Sequence, residues 1–486
     1  MAKRVFRPYD PDRPLPLPPD LRQWLPPDHA VYLLSDLVDH LDLSPITAAY
    51  DQGDGGGNPP YHPVLLTKLL FYAYCQGVVS SRVIAAKTDE DIAFRVLTVD
   101  QHPDFRTISD FRERHLAALV PLFREVVRLA GRLGLVTLEH LAQDGSKVLA
   151  NASKHRAMSY ARMAQAEERL SREIGVLVEA ARAADAAEDA TYGPDRTGDE
   201  LPVELRGEIA RRERRLATIR AAKEALEREA REEAAAIRAA DAAERERRAE
   251  AGEPKKPGRP PAPPEVPRDN AQRTFTDPDS RIMKNADKAF VQAYNGQIAV
   301  DAAQQIIVGC ALTNQGADAP HLAPLVEQVR ETTEGTPREW SGDAGDFSAP
   351  NLEVLEAAGI EGFIPPDRQR HGDQPVPDGV ARLLTAAGVA SPAAPPGEEP
   401  AETAIKAEMR AKLGTARGRA AYAQRKQTVE PVFGQIEERR GLRRFLLRGR
   451  PKVSGEWTLW CLTQNLRKMM QALRAQPGLR ERLALV

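Results

Sequence analysis

The chain has 486 residues, 42% of them hydrophobic and only 5% aromatic, with 68 Lys and Arg against 70 Asp and Glu. That length supports two or three domains with real cores. The formal net charge of −2 excludes a globally basic nucleic-acid binder, so any such role must rest on local asymmetry. Cys75, Cys310 and Cys461 form neither a CxxC pair nor a Cys/His cluster, which argues against a disulfide framework or a zinc site. No run approaches about 18 apolar residues and the N-terminus lacks an apolar signal segment, so a reduced, cytoplasmic protein without membrane association is expected.

Residues 1–30 are rich in Pro and Arg and read as an extended arm. Residues 31–135 read as a helical module. HPVLLTKLLFYAYCQGV is apolar on most faces, as a buried helix is. Ser80 or Ser81 offers an N-cap for the next helix, and Thr107 with Asp110 has capping-box spacing before a helix closed by glycine. A helix-turn-helix and a plain packing domain both fit this region. A short run then ends in Asp144-Gly145, as a strand leaving a sheet does.

Residues 160–251 are dominated by Ala, Glu and Arg and break near TYGPDRTGDELP, which predicts an antiparallel helical hairpin. Leu201, Leu205, Ile209, Leu216 and Ile219 form an apolar stripe on its second arm. Residues 252–270 are a proline-rich linker. Its KKPGRPP segment is similar to an AT-hook core and equally fits a charged spacer. FVQAYNGQIAVD and QIIVGCALTNQ predict a β-hairpin. A helix (APHLAPLVEQVRETTE), a short strand (EWSGDAG), a helix (NLEVLEAAG) and a last strand (EGFIPP) follow. Residues 367–415 read as a variable loop with one short helix. The chain is helical again from Arg417 to Gln435 and from Glu456 onward. The expected class is a mixed sheet flanked by helices, α+β or α/β, with an all-α N-terminal domain.

Three acids carry the chemistry: Asp144, Asp343 and Glu430. Carboxylates gathered from distant segments suit hard divalent cations, which take oxygen ligands and keep positions open for phosphates. Two such ions about 4 Å apart activate a nucleophile and stabilise the leaving oxygen in phosphodiester chemistry. Asp346 rivals Asp343. From Arg417 to Lys452 there are eleven Lys and Arg against three Glu, a local excess that the net charge hides and that suits a nucleic acid backbone.

The segments together resemble the DDE transposases of bacterial insertion sequences. YHPVLLTKLLFYAYCQGVVSSRVIAA looks like their N-terminal domain. DGSKVLANASKHRAM resembles the segment with the first acid, and TDPDSRIMK with YNGQIAVD resembles the strands that follow. DAGDFS resembles the second-acid motif, and VEPVFGQIEERRGLRRFLLRG with LTQNLRKM the third. The resemblance implies an RNase H-like catalytic domain over 136–159 and 271–475, with 31–135 reading the terminal inverted repeats. It implies Asp144, Asp343 and Glu430 as the metal-binding triad, with two Mg²⁺ per site and Mn²⁺ as an alternative. It also implies transposon-end and target DNA as partners, and a homodimer. Tyr422 with Arg425 or Lys426 fits the basic signature before Glu430. Arg439, Arg440, Arg443, Arg444 and Arg448 would hold phosphates. Two positions depart from the pattern. Asp346 stands where the family more often has an aromatic residue, and Glu437 where it has Lys. The implied reaction is cleavage at transposon ends followed by strand transfer. The competing readings are an inactive transposase-derived DNA-binding protein, a nuclease without strand transfer, and a coiled-coil structural protein.

Overall fold

The computed structural model describes residues 20–50, 60–153, 156–192, 203–250, 252, 265–285, 288–367 and 401–485. The arm through residue 19, Leu201, the KKPGRPP segment and residues 368–400 lie outside the described residues.

Seven helices come first: α1 (Ala30–Asp39), α2 (Ser44–Thr47), α3 (Pro63–Cys75), α4 (Ser81–Glu90), α5 (Ile92–Leu97), α6 (Phe105–Arg114) and α7 (Leu119–Arg132). Side chains set their starts. Asp91 accepts from the Ala93 and Phe94 N–H groups to cap α5, and His62 caps α3 just ahead of Pro63. α6 starts earlier than the Thr107–Asp110 spacing predicts. Asp104 holds an extended backbone and accepts from the Arg106 N–H, so it takes the cap and leaves Thr107 inside the first turn. Ser80 holds the cap position of α4 without a side-chain bond.

The sheet begins after Gly134, whose φ of 75° closes α7. Its strands are β1 (His140–Leu149), β2 (Ala157–Ser159), β3 (Gln272–Thr274), β4 (Arg281–Lys284), β5 (Phe290–Asp301), β6 (Ile306–Thr313), β7 (Glu339–Ser341) and β8 (Glu361–Phe363). β5 is the longest. One edge pairs antiparallel with β1, and the other is shared by β4 and β6. Beyond β1 the sheet turns parallel, β1 to β7 to β8. The protein is therefore mixed α+β with a helical N-terminal region.

Two long helices, α8 (Tyr160–Tyr192) and α9 (Val203–Glu250), lie between β2 and β3. Met163, Ala166 and Leu170 pack on Leu216, Ile219, Ala222 and Leu226 along their seam. Glu167 holds both Arg220 and Lys223 beside it. α9 runs about 70 Å at 1.5 Å per residue, and its Glu229 accepts from Arg273 and Arg281 at 2.6 Å each, fixing it to β3 and β4.

The remaining helices are α10 (Leu322–Thr333), α11 (Ala349–Ala357), α12 (Ala401–Gly414), α13 (Ala416–Thr428), α14 (Glu430–Gly434), α15 (Arg450–Ala475) and α16 (Pro477–Leu485). α15 starts six residues before the Glu456 expected from the sequence. It is buried along most of its length because it lies between the N-terminal helices and the sheet, so one core runs from Val31 to Leu483. Trp457 sits directly on Gly296 of β5, where an added Cβ would come within 2.8 Å of the indole. Phe445 stacks on Trp460 at 4.8 Å and meets Tyr294 of β5 edge-on. No helix among the described residues is long and apolar enough to cross a membrane.

Candidate active site

β1 does not end at Asp144. It continues through Gly145 to Leu149, because β5 pairs with it along its whole length: Asp144 faces Ile298 and Gly145 faces Gln297. What ends is the neighbour on the other side. β7 pairs only with residues 140–142, so Asp144 lies just past the point where β7 leaves the sheet. Asp343 lies two residues beyond the end of β7. The two acids thus come from adjacent parallel strands at the same end of the sheet. Burial pushes the Asp144 carboxyl up to about 6; Arg425 opposes that rise, and the nearby charge of Asp343 adds to it.

The turn carrying Asp343 is sewn together by Asp346. Asp346 is 1% exposed. One of its oxygens accepts from the Asp343 N–H (3.0 Å) and the other from the Gln143 amide of β1 (3.1 Å). Gln143 in turn accepts from the Trp340 indole N–H. Gly342 leaves the room, since a Cβ there would stand 2.7 Å from Asp346 Oδ2. Both Asp346 oxygens are therefore engaged inside the protein. Burial, followed by the Asp343 charge, raises its carboxyl well above the usual range. Asp343 is half-buried, and its Oδ1 accepts from the Gly345 N–H at 2.6 Å.

Glu430 starts α14, with Pro431 second, where its missing N–H breaks no helical bond. Val429 between α13 and α14 keeps a helical backbone, so the two run nearly end to end. The last turn of α13 brings Arg425 to the acids. Its Nη2 lies 3.0 Å from Asp144 Oδ2 and its Nη1 3.9 Å from Glu430 Oε1. The Arg425 side chain is 6% exposed and that of Glu430 55% exposed. Tyr422, one turn earlier, is half-buried. Burial raises its phenol first, with Arg425 opposing and the charges of Asp343, Asp144 and Glu430 adding. The structure thus gathers Asp144, Asp343, Glu430, Tyr422 and Arg425 into one neighbourhood, with Arg425 as its central cation.

Residues 19–114 match a family model described as a transposase domain (DUF772), and residues 398–470 match one described as a transposase DDE domain. Two separate segments of the chain are thus similar to transposase domains. The second match contains Glu430 and the arginine-rich segment, while Asp144 and Asp343 lie in the stretch between the two matches. No curated protein and no solved structure matches the chain.

The basic residues divide into two sets. Lys426, Arg439, Arg443, Arg444 and Arg448 are exposed. Arg443 pairs with Glu438, and Arg448 donates to the Asn151 carbonyl at 3.0 Å. Arg440 differs from the expectation. It is 4% exposed and donates to Thr463 Oγ1, the Trp460 carbonyl and the Tyr74 carbonyl. That guanidinium fastens α3 to α15 and faces no solvent. Glu437 follows on a wide helical turn, Gln435–Arg439, and accepts from the Ser146 hydroxyl of β1. By strand alternation, Ser146 shares a face with Asp144. Sequence reasoning missed this pair, as it missed Asp346's part in the turn.

Oxygen donors of Asp144, Asp343 and Glu430 suit a hard divalent cation in kind. Among the described residues no three His, Cys, Asp or Glu side chains stand close enough to hold a metal ion, and Arg425 lies between Asp144 and Glu430. Asp144, Asp343 and Glu430 bring three carboxylates to this neighbourhood, and Arg425 is the one cation shown between two of them. The neighbourhood therefore fits an added cation by charge and by donor type.

Proposed function

We propose that this transposase cleaves DNA at the ends of a mobile element and transfers the freed 3′ ends into target DNA, with Asp144, Asp343 and Glu430 as its metal-binding carboxylates. The observation that carries this reading is one buried arginine lying between Asp144 of β1 and Glu430 of α14, with Asp343 past β7 near enough for its charge to act on Asp144. The strand order β6-β5-β1-β7-β8, antiparallel on one side of β1 and parallel on the other, supports an RNase H-like catalytic domain. That domain comprises 136–159 and 271–475, interrupted by the hairpin of 160–251. Residues 31–135 bind the element's ends, and a homodimer brings two ends together.

Asp144, Asp343 and Glu430 would hold two Mg²⁺, or Mn²⁺ in their place, which would lower the pKa of the attacking water or 3′-OH and neutralise charge at the leaving oxygen. The chain's own residues do the rest. Arg425 orients Asp144 and Glu430. Lys426, Arg439, Arg443, Arg444 and Arg448 hold backbone phosphates, which gives affinity that falls with salt. Tyr422 lies beside the flanking strand. Gln143 and Asp346 keep the Asp343 turn in place.

The test is Mg²⁺-dependent cleavage of a duplex carrying the element's own ends, followed by strand transfer from a pre-cleaved end. Wild type should nick at the end, while D144A, D343A and E430A should not. If these variants cut like wild type, the assignment of the triad is wrong. End binding without cleavage would favour an inactive DNA-binding protein, a reading to which the acidic Glu437 beside β1 lends weight. Cleavage without joining would make the chain a nuclease.

A further inference from the structure

On the opposite face of β1, Gly145 and Lys147 look toward the loop that follows β6. Across the ladder Gly145 faces Gln297 and Lys147 faces Asn295. Asp318, the residue before the short turn into α10, reaches down onto this patch. Its Oδ1 accepts from Gln297 Nε2 (2.6 Å), Asn295 Nδ2 (2.7 Å) and Lys147 Nζ (2.9 Å). Gly145 makes room, because a Cβ there would fall on the Gln297 amide and come within 2.8 Å of Asp318 Oδ1.

Three donors thus fix one oxygen of Asp318 and leave the other, Oδ2, without a hydrogen bond among the described residues. This second oxygen turns toward the Asp343 turn. A Cβ on Gly345 would stand 3.5 Å from Asp318 Oδ2 and 2.9 Å from Asp343 Oδ1, so the two carboxylates flank the same glycine. Asp318 also adds its charge to those acting on Asp144 and Asp346. A second, independent feature points to a ligand. Gln297 is fully buried, its amide lies at this spot, and its Oε1 has no partner. A buried carbonyl oxygen left unpaired, on the same amide whose Nε2 holds Asp318 Oδ1, is costly unless a donor or a cation reaches it.

We infer that Asp318 is a further carboxylate of the divalent-cation site, presenting its free Oδ2 alongside Asp343 from the sheet face opposite Asp144. The inference rests on the reading of Asp144, Asp343 and Glu430 as metal-binding residues. Lys147 holds Asp318 in position and competes with the cation for its charge.

The experiment is Mn²⁺ titration of the full-length, EDTA-treated protein, followed by calorimetry and by the electron spin resonance signal of free Mn²⁺. D318N keeps an acceptor oxygen for Lys147, Asn295 and Gln297 and removes only the charge. It should weaken Mn²⁺ binding by roughly tenfold or more with an unchanged melting curve. K147M, which removes the competing ammonium, should tighten binding. D318N binding as tightly as wild type while D144N and D343N lose the ion would reduce Asp318 to a structural partner of Lys147. K147M no tighter than wild type would also overturn the inference. Wild type that takes up no Mn²⁺ would sink both this inference and the metal-dependent reading beneath it.

Discussion

Arg425 Nη2 stands 3.0 Å from Asp144 Oδ2 in a setting where the arginine side chain is only 6% exposed. Removing one partner of a buried pair leaves an uncompensated charge, which typically costs about 3–5 kcal/mol. R425M is expected to lose stability on that scale, read as a lower urea midpoint with an unchanged slope. R425K keeps the charge but not the planar fork and should recover only part of it. A midpoint for R425M equal to wild type would mean that the contact contributes little.

The buried Asp144 carboxyl makes a pH-dependent contribution with a definite sign. Its folded-state pKa is raised, to about 6 from 3.8, so the folded protein binds more protons than the unfolded one between those values. Stability from this group is therefore full below about pH 4 and is lost as pH rises through about 6. The loss is on the order of 3 kcal/mol at most, at 1.36 kcal/mol per unit. D144N removes the titration, so its stability relative to wild type should improve between pH 4 and 7. Melting curves across that range check it, and a pH-independent difference would contradict it.

Burial separates arginines that sequence alone treats alike. R444A and R448A should each lower the slope of log K for DNA against log salt by about 0.9 if they neutralise a phosphate. R440M should leave that slope unchanged and instead destabilise the fold, because its guanidinium bonds to Thr463, Trp460 and Tyr74. Filter-binding titrations at several salt concentrations, paired with urea melts, distinguish the two classes. A salt-slope change in R440M would refute this division.

Glu437 offers a sharper case. Burial raises its carboxyl above the usual range, with the Ser146 hydroxyl opposing the rise. E437K exchanges an acid beside the Asp144 strand for a cation. The salt slope for DNA should steepen by about one phosphate equivalent, and end cleavage should rise. E437Q, which keeps the Ser146 contact, should leave both unchanged. Equal DNA affinity in E437K and wild type would place this side chain outside the DNA path.

The regular parts of this fold are legible in the sequence because they rest on periodicity. The alternation in FVQAYNGQIAVD marks β5, and the three- and four-residue apolar spacing of Leu122, Val126 and Leu129 marks α7. The α6 boundary is misplaced because two capping signals compete, and only the backbone decides for Asp104. The end of β1 is misplaced because Asp-Gly reads as a turn, whereas the β5 partner carries the strand through it. The neighbours of the acids are not legible at all. Asp318 looks like a polar residue ahead of a helix, and nothing local ties it to Lys147, Asn295 and Gln297. Arg440 sits in a run of basic residues, and only the docking of α3 against α15 buries it.

β2 and β3 pair residue for residue, Ala157 with Thr274 and Ser159 with Gln272, so the chain that departs into α8 returns beside its own starting point. Paired strands lie only about 5 Å apart, and lengthening a closed excursion adds little entropic cost, roughly 0.6 kcal/mol per doubling. The part of the arm beyond the Glu229 contacts with Arg273 and Arg281 can thus vary in length at little entropic cost to the closed excursion. For a protein engineer, that outer part of the hairpin, and not the clasp at 157–159 and 272–274, is the place to splice.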